Sequence, residues 1–279
     1  MIPVGPIAQR LVHEQMPRQP PHHLEHPCVR DSAPGDLLVH HALALAREAL
    51  RAHRFRFFPS TALRAPSHSV MRPSAPWCVR SRCSGVTDAR VLEVMRRVPR
   101  HVFVDEALRD RAYGDHSLPI GEGQTISQPF IVGRMTELLR LTGREKVLEV
   151  GTGCGYQAAV LAELAARVCT VERLPRLAAR ARETLEGLGY RNVWVRVGNG
   201  TLGWPDEAPF DRILVAAGGP AVPPPLFEQL AEGGRMVMPV GDVTNQTLEV
   251  IEKVQGVMRI TRDSGCVFVK LVGKYAWES

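Results

Sequence analysis

Short hydrophobic runs alternate with longer amphipathic stretches from residue 86 to the end of this 279-residue chain. The runs have the length and composition of buried strands, and the stretches between them carry apolar residues at helical spacing. The predicted strands cover 146–150, 168–172, 192–197, 212–216, 235–239, 246–254 and 266–272, and helices over 156–166, 174–188 and 224–230 separate the first of them. This alternation predicts a doubly wound, Rossmann-like α/β domain with a mostly parallel sheet.

Two further helices are predicted before the first of these strands. Thr87 is the expected N-cap of one, because apolar residues then recur on one side of a helix. Ser127 is the expected N-cap of the other, because Pro129 falls early in its first turn and the helical pattern continues through residues 130–141.

The first third of the chain has a different composition. Up to Gly85 it holds eleven arginines, no lysine and five acidic residues, so the whole formal charge of +6 lies there with eight of the ten histidines. Such a composition disfavours a packed core. We therefore expect residues 1–84 to be a basic, mostly disordered extension with one helix over 37–54, and residues 85–279 to be the folded domain. The extension is interpreted either as a solvated arm or as the result of a start codon assigned too far upstream. The alternative is a basic arm that binds an acidic partner or nucleic acid.

Composition also argues against several classes of protein. No run reaches the roughly 18 apolar residues of a membrane-spanning helix, and the N-terminus lacks the apolar stretch of a secretory signal, so we expect a cytoplasmic protein. None of the six cysteines forms a CxxC pair, and we expect no metal site. We expect neither a membrane nor nucleic acid among the partners, and we expect a monomer.

A glycine-rich turn follows the predicted strand 146–150 and opens directly into a helix. Its pattern is G-x-G-x-G, formed by Gly151, Gly153 and Gly155, with Thr152 inside it. Glycines here permit a tight turn and let a ligand approach the backbone closely. The dinucleotide fingerprint needs its third glycine one position later, where this chain has Tyr156. The turn therefore indicates a nucleoside cofactor without a pyrophosphate.

Two further features support an adenosine site. Glu172 ends the next predicted strand, where an acidic side chain can accept hydrogen bonds from both ribose hydroxyls. Asn199 and Gly200 follow the strand after that, at the edge of the sheet where ligands bind. We expect the Asn199 side chain to accept a hydrogen bond from the adenine amino group.

The segment QTISQP at 124–129 and the later blocks VLEVGTGCGYQAAVLA, TVER, APFDRILV, GGRMVMPVG and VFVKLVG occur in an order that is distinctive. Because of these blocks, the chain from about residue 85 to residue 277 resembles the protein-L-isoaspartate (D-aspartate) O-methyltransferase family. The resemblance implies that S-adenosyl-L-methionine is the cofactor. It also implies methyl transfer to the free α-carboxylate of L-isoaspartyl residues in damaged proteins and peptides, which starts repair through a succinimide.

The resemblance also implies roles for individual residues. Ser127 and Thr125 are the hydroxyls expected to hold the acceptor carboxylate, and Ile126, Gln128 and Pro119 are expected to contact the substrate. The segment 118–120 is expected to be a loop that covers the site. The expected cofactor-binding residues are Gly151, Thr152, Gly153, Gly155, Glu172, Asn199 and Gly200.

Two positions depart from the family pattern, which usually has aspartate at Asn199 and proline at Lys270. The alternatives are another methyltransferase of the same fold, acting on a small molecule or a nucleic acid, and a non-catalytic relative that binds RNA. A nucleic-acid N-methylase would need an Asn/Asp-Pro-Pro-aromatic loop after the fourth strand, where residues 216–219 read AAGG. A methylation assay with isoaspartyl and aspartyl peptides distinguishes the three.

Overall fold

The computed structural model describes residues 85–278. The predicted extension over 1–84 and its helix over 37–54 lie outside these residues. The helices are α1 (Ala89–Arg97), α2 (Pro129–Leu138), α3 (Tyr156–Ala162), α4 (Pro175–Gly187) and α5 (Pro224–Gln229). The strands are β1 (Leu118–Gly121), β2 (Gln124–Ile126), β3 (Lys146–Val150), β4 (Arg167–Glu172), β5 (Val193–Val197), β6 (Phe210–Val215), β7 (Leu230–Gly241), β8 (Gln246–Val254) and β9 (Val257–Cys266).

The central sheet has the order β5-β4-β3-β6-β7-β8-β9. The first five of these strands pair in parallel, whereas β7-β8 and β8-β9 pair antiparallel. The chain starts the sheet at β3, adds β4 and β5 on one side and then crosses to β6 on the other side. The strand order thus reverses between β3 and β6, and in such sheets a ligand cleft opens at that point. The predicted doubly wound, mostly parallel architecture is confirmed.

The core lies on both faces of this sheet, because successive side chains of a strand point to opposite faces. In β3, Val147 packs into one hydrophobic cluster and Leu148 into the other. In β4, Val168 and Cys169 divide in the same way. All seven residues of α3 are buried, so the helix after the glycine turn is held firmly against the sheet. No helix within residues 85–278 is long and apolar enough to cross a bilayer.

The predicted helix N-caps are wrong by one residue in each case. The N-cap of α1 is Asp88, whose carboxylate accepts from the amide of Arg90, and the N-cap of α2 is Gln128. Thr87 instead donates to the Glu137 carboxylate through its amide and its hydroxyl.

The predicted last strand is displaced, because a hairpin turn was not recognised. The chain reverses after β8 through Gln255 and Gly256, with φ of +53° and +73°, and β9 pairs antiparallel with β8. Two central residues with positive φ form the tight turn that matches strand twist, and glutamine is an unusual residue for it. Residues 267–272 form no strand and make only two isolated bridges, in which Lys270 pairs with Gly218 and Val272 pairs with Trp277. The predicted loop at 118–120 is likewise wrong, because it forms β1 and pairs antiparallel with β2.

Candidate active site

A cleft opens beyond the carboxyl ends of β3 and β6, at the reversal of strand order. Its empty volume, counted to the open mouth, is about 800 Å³. Residues 124–127 form one wall of the cleft, and residues 269–272 form the opposite side. The turn that follows β3 forms the floor.

The glycine turn has a backbone that other residues adopt at a cost. Gly151, Gly153 and Gly155 have φ of +94°, +54° and +92°, in the region that favours glycine. A Cβ on Gly155 would lie 3.2 Å from the Leu185 side chain, so this glycine also lets α4 pack closely. Gly151 and Gly153 line the cleft, and the amide of Gly151 donates to the carbonyl of Val171 at 2.9 Å.

Glu172 lies at the carboxyl end of β4 and is 6% exposed. Its Oε2 accepts from the amide of Gly153 at 2.9 Å, and its Oε1 accepts from the amide of Leu174 at 3.0 Å. A carboxylate offers about four lone-pair positions, so these two bonds leave acceptor capacity on both oxygens. Because Glu172 lines the cleft, that capacity is available to a ligand with paired hydroxyls.

A chain of buried polar groups supports the turn from below. The hydroxyls of Thr152 and Thr170 lie 2.6 Å apart, and the Thr170 hydroxyl donates to Oε2 of Glu149 at 2.5 Å. Glu149 is fully buried in β3, and burial raises the pKa of its carboxyl to about 8. A carboxyl with this pKa is mostly neutral at pH 7. Glu149 therefore acts as a buried hydrogen-bonding group and adds little charge to the cleft.

The opposite wall is formed by β2 and the residues that lead into α2. Thr125 is exposed, Ile126 is buried and Ser127 is half-buried, and all three line the cleft. Pro119 pairs with Thr125 in the antiparallel hairpin and lies outside the lining. Gln128 also lies outside it, with its side-chain nitrogen donating to Asp115 at 3.0 Å.

Asp115 fixes the start of α2. Its Oδ2 accepts from the Gln128 side chain, and its Oδ1 accepts from the amide of Phe130 at 3.0 Å. Free amides in the first turn of a helix can bind an anion, but the Phe130 amide is occupied and Pro129 has none. The hydroxyls of Thr125 and Ser127 are therefore the more accessible donors of this wall.

Asn199 lies after β5 and behaves as a cap of the short helix Gly200–Leu202. Its Oδ1 accepts from the amide of Thr201 at 3.0 Å and from the Thr201 hydroxyl at 2.8 Å. Both lone pairs of that oxygen are thus in use. Gly200 lines the cleft, whereas Asn199 does not.

The structure therefore brings most of the predicted site residues together in one cleft and leaves four outside its lining. The residues that line it are Thr125, Ile126, Ser127, Gly151, Thr152, Gly153, Glu172 and Gly200, and those outside it are Pro119, Gln128, Gly155 and Asn199.

Sequence reasoning did not identify several residues of the cleft and its supports. Arg173 and Lys270 line the cleft and bring two positive charges to it, whereas the sequence marks Lys270 only as a departure from the family pattern. Asp115 and Glu149 support the cleft from outside its lining, and neither has a role predicted from the sequence. The pattern Y-x-D at 113–115 and the acid two residues before Gly151 are the signals that could have identified them.

The cleft fits S-adenosylmethionine. The positive-φ glycines leave the turn without side chains where the backbone must approach a ligand, and Glu172 supplies a carboxylate for ribose hydroxyls. The doubly wound fold, the turn and the acid together define a methyltransferase that uses S-adenosylmethionine.

Comparisons with known proteins identify the family. The family described as protein-L-isoaspartate(D-aspartate) O-methyltransferase (PCMT) matches residues 79–276. Protein-L-isoaspartate O-methyltransferase 1 of Syntrophobacter fumaroxidans is 62% identical over 194 residues, which cover 70% of this chain and 91% of that protein. A protein of the same name, numbered 2, from Geotalea uraniireducens is 58% identical over 194 residues, covering 69% and 89%. This chain belongs to the protein-L-isoaspartate(D-aspartate) O-methyltransferase family.

Solved structures agree with this assignment. A protein-L-isoaspartate O-methyltransferase structure superposes with a TM-score of 0.67 at 28% identity, covering 74% of this chain and 67% of that one. A Plasmodium falciparum β-aspartate methyltransferase structure in complex with S-adenosyl-L-homocysteine has a TM-score of 0.61 at 24% identity, covering 71% and 97%. The second likeness supports the fold alone.

Proposed function

We infer that the protein transfers a methyl group from S-adenosylmethionine to the free α-carboxylate of L-isoaspartyl residues in damaged proteins and peptides. The observation that carries this conclusion is the single cleft lined by both QTIS at 124–127 and the glycine turn at 151–153. Donor and acceptor segments of the family thus face one space. The backbone nitrogen then attacks the carbonyl carbon of the methyl ester and displaces methanol, which gives a succinimide. Hydrolysis of the succinimide returns part of the damaged sites to normal aspartate.

Positioning is the main contribution of this chain to the reaction. A carboxylate with a pKa near 4 is already ionised at pH 7, so no residue has to remove a proton. S-adenosylmethionine supplies an electrophilic methyl group on a sulfonium. Orientation alone can provide about 7–11 kcal/mol of a reaction barrier. This agrees with a cleft that is lined by hydroxyls and backbone groups near the acceptor wall.

For the donor, we propose that Glu172 binds the ribose hydroxyls. We also propose that the backbone of Gly151, Thr152 and Gly153 contacts the rest of the cofactor. The support is the burial of Glu172, the spare lone pairs on its carboxylate and the open glycine turn beside it. Gly200 forms the wall beyond β5, on the side expected for the adenine.

For the acceptor, we propose that the hydroxyls of Ser127 and Thr125 hold the carboxylate and that Ile126 shapes the space between donor and acceptor. Pro119 and Gln128 support this wall from outside the cleft, through the hairpin and through Asp115. Ser127→Ala should lower kcat/KM for an isoaspartyl peptide, with the affinity for S-adenosylhomocysteine unchanged. A variant with wild-type kcat/KM would remove Ser127 from the acceptor site.

The partners that follow from this function are isoaspartyl-containing proteins and peptides. Because the defect is in the backbone and occurs in many sequences, the peptide should bind extended, with few demands on its side chains. We also propose that the protein works in the cytoplasm as a monomer and without nucleic acid. For the absence of nucleic acid, the support is the balance of 24 basic and 24 acidic residues after Gly85, which gives this part of the chain no net basic charge. Light scattering of the purified protein would test the oligomeric state.

The function is tested with methyl-labelled S-adenosylmethionine and two peptides of identical sequence, one isoaspartyl and one aspartyl. We expect label in the isoaspartyl peptide alone, in a form released by mild base, as an ester must be. Equal labelling of both peptides would contradict the proposed acceptor. Labelling of neither, with intact cofactor binding, would favour a non-catalytic relative or another acceptor.

A further inference from the structure

Arg100 is a fully buried cation behind the acceptor wall. It begins the short helix Arg100–Phe103 and has 0% of its surface exposed. Its Nε donates to the carbonyl of Ala112 and its Nη2 donates to the carbonyl of Ser127, both at 2.7 Å. The guanidinium is planar with donors in a fixed fork, so these two bonds fix its orientation as well as its position.

The same guanidinium also contacts the donor side of the cleft. Its Cζ lies 4.9 Å from the centre of the Tyr156 ring. Tyr156 begins α3 directly after the glycine turn and is 1% exposed. A guanidinium over an aromatic face is a favourable and directional contact. Arg100 therefore touches a residue of each wall, Ser127 on the acceptor side and Tyr156 on the donor side.

Burial leaves the guanidinium of Arg100 incompletely paired. Within residues 85–278 it forms no ion pair, and its Nη1 is buried without a hydrogen-bond partner. A buried donor without a partner costs about 1–3 kcal/mol, and a buried unpaired charge costs more. An apolar residue would fill the space at lower cost, so packing alone does not account for arginine here.

We propose that Arg100 is a positioning residue for methyl transfer, because it sets the spacing and orientation of the acceptor wall relative to the donor turn. It acts through the Ser127 backbone and the Tyr156 ring rather than by touching substrate. The peptide unit that carries the Ser127 carbonyl is planar and trans, so a fixed carbonyl also fixes the direction of the following amide. The inference rests on the function proposed above.

The test compares Arg100→Lys with the wild type. Lysine keeps the charge but has a single nitrogen, which does not reproduce a fork between two carbonyls or the stacking on Tyr156. We expect kcat for an isoaspartyl peptide to fall about 10- to 100-fold, since small misplacements of reacting groups cost this much. We expect KM for the peptide and the dissociation constant of S-adenosylhomocysteine each to change less than about threefold.

Two controls separate this role from others. Arg97→Lys, on the exposed face of α1, should keep wild-type kinetics. If neither this variant nor the wild type methylates the isoaspartyl peptide, the proposed function is contradicted, and not the role of Arg100. Arg100→Met should lose as much kcat as Arg100→Lys, and if it does not fold, the lysine variant alone decides.

Two results would overturn the inference. One is a wild-type kcat in Arg100→Lys, which would mean that the fork is not needed. The other is a loss of kcat that follows a parallel loss of cofactor binding and thermal stability, which would mean that Arg100 serves the fold alone.

Discussion

The amide of Gly153 donates to the carboxylate of Glu172 at 2.9 Å. The glycine turn after β3 and the acid at the end of β4 are therefore one structural unit, although 19 positions separate them in sequence. A carboxylate that holds the turn and also faces the cleft can couple the shape of the turn to the binding of a ribose.

Glu172→Ala should weaken the binding of S-adenosylhomocysteine by roughly 2–4 kcal/mol, because hydrogen bonds to a charged acceptor contribute about 1.5–3 kcal/mol each before water compensates in part. The variant should fold, with a lowered Tm, since the amides of Gly153 and Leu174 lose their acceptor. Calorimetry measures the affinity, with Glu183→Ala, an exposed position on α4, as the control. An unchanged affinity would remove Glu172 from the ribose site.

Glu149 should make stability depend on pH. Burial raises the pKa of its carboxyl from 4.5 to about 8. Between these values the folded protein keeps a proton that the unfolded chain releases, so the free energy of unfolding should fall as pH rises. The stabilisation associated with the protonated Glu149 carboxyl is fully present below pH 4.5 and is lost as pH rises to about 8. The free energy of unfolding falls over this range by up to ~1.4 kcal/mol per pH unit.

Denaturant unfolding of the wild type and Glu149→Gln across this pH range measures the effect. Glutamine has nearly the same shape and can accept from the Thr170 hydroxyl, but it does not titrate. The stability difference between the two proteins should move in favour of the variant as pH rises. Groups such as His101 titrate in both proteins, so their contributions cancel in the stability difference. A stability difference that stays constant across this range would show that folding does not raise the pKa of the Glu149 carboxyl.

The sequence predicted those parts of the site that depend on local pattern. The strand before Gly151, the positive-φ glycines and Glu172 at the end of the next strand are encoded within a short stretch of chain, and they lie as predicted. The extended run predicted around residues 246–254 also coincides with β8. Each of these features is marked by residues that lie close together in the sequence.

The features that were not predicted depend on contacts between distant segments. Asp115 reaches Phe130 across 15 positions, and Arg100 reaches Ser127 across 27. Spacing in the sequence gives no signal for such pairs. The turn at Gln255 was missed for a different reason, because the conformation there comes from strand pairing and overrides the preference of the residue.

Lys270 should favour substrates with an acidic residue beside the isoaspartyl site. It is exposed at the cleft and forms no ion pair within the described part of the chain. Exposed charge pairs contribute about 0.2–1 kcal/mol, so KM should be lower by up to about fivefold for an acidic than for a neutral flanking residue. Lys270→Gln should abolish this preference, Lys270→Glu should reverse it, and salt should weaken it. Equal KM values for both peptides at low salt would exclude the role.

Deletion of residues 1–84 should leave peptide methylation intact. Val86 is fully buried in the core, and the described contacts of the domain all lie within residues 85–278, so a chain that begins at Gly85 keeps them. The measurement is kcat/KM for an isoaspartyl peptide, with circular dichroism to confirm folding. A folded but inactive truncation would show that the extension contributes to the site.

The exchange of Asn199 for the aspartate of the family should strengthen cofactor binding. The single side-chain oxygen of Asn199 already accepts twice from Thr201, and the other polar atom of this side chain is a donor that repels an adenine amino group. Asn199→Asp supplies a second oxygen while it keeps the cap, so its free oxygen can accept. A charged acceptor contributes about 1.5–3 kcal/mol against 0.5–1.5 for a neutral one.

We therefore expect Asn199→Asp to lower the dissociation constant of S-adenosylmethionine several-fold, with kcat at saturating donor nearly unchanged, because the adenine lies far from the transferred methyl. Asn199→Leu should weaken binding, since it removes the cap of the helix that carries Gly200 into the cleft wall. Thr201→Val is the matched control, because it frees one lone pair of Asn199 without adding charge. If the aspartate variant binds no more tightly and the leucine variant no more weakly, Asn199 serves the turn alone and the adenine is held by other groups.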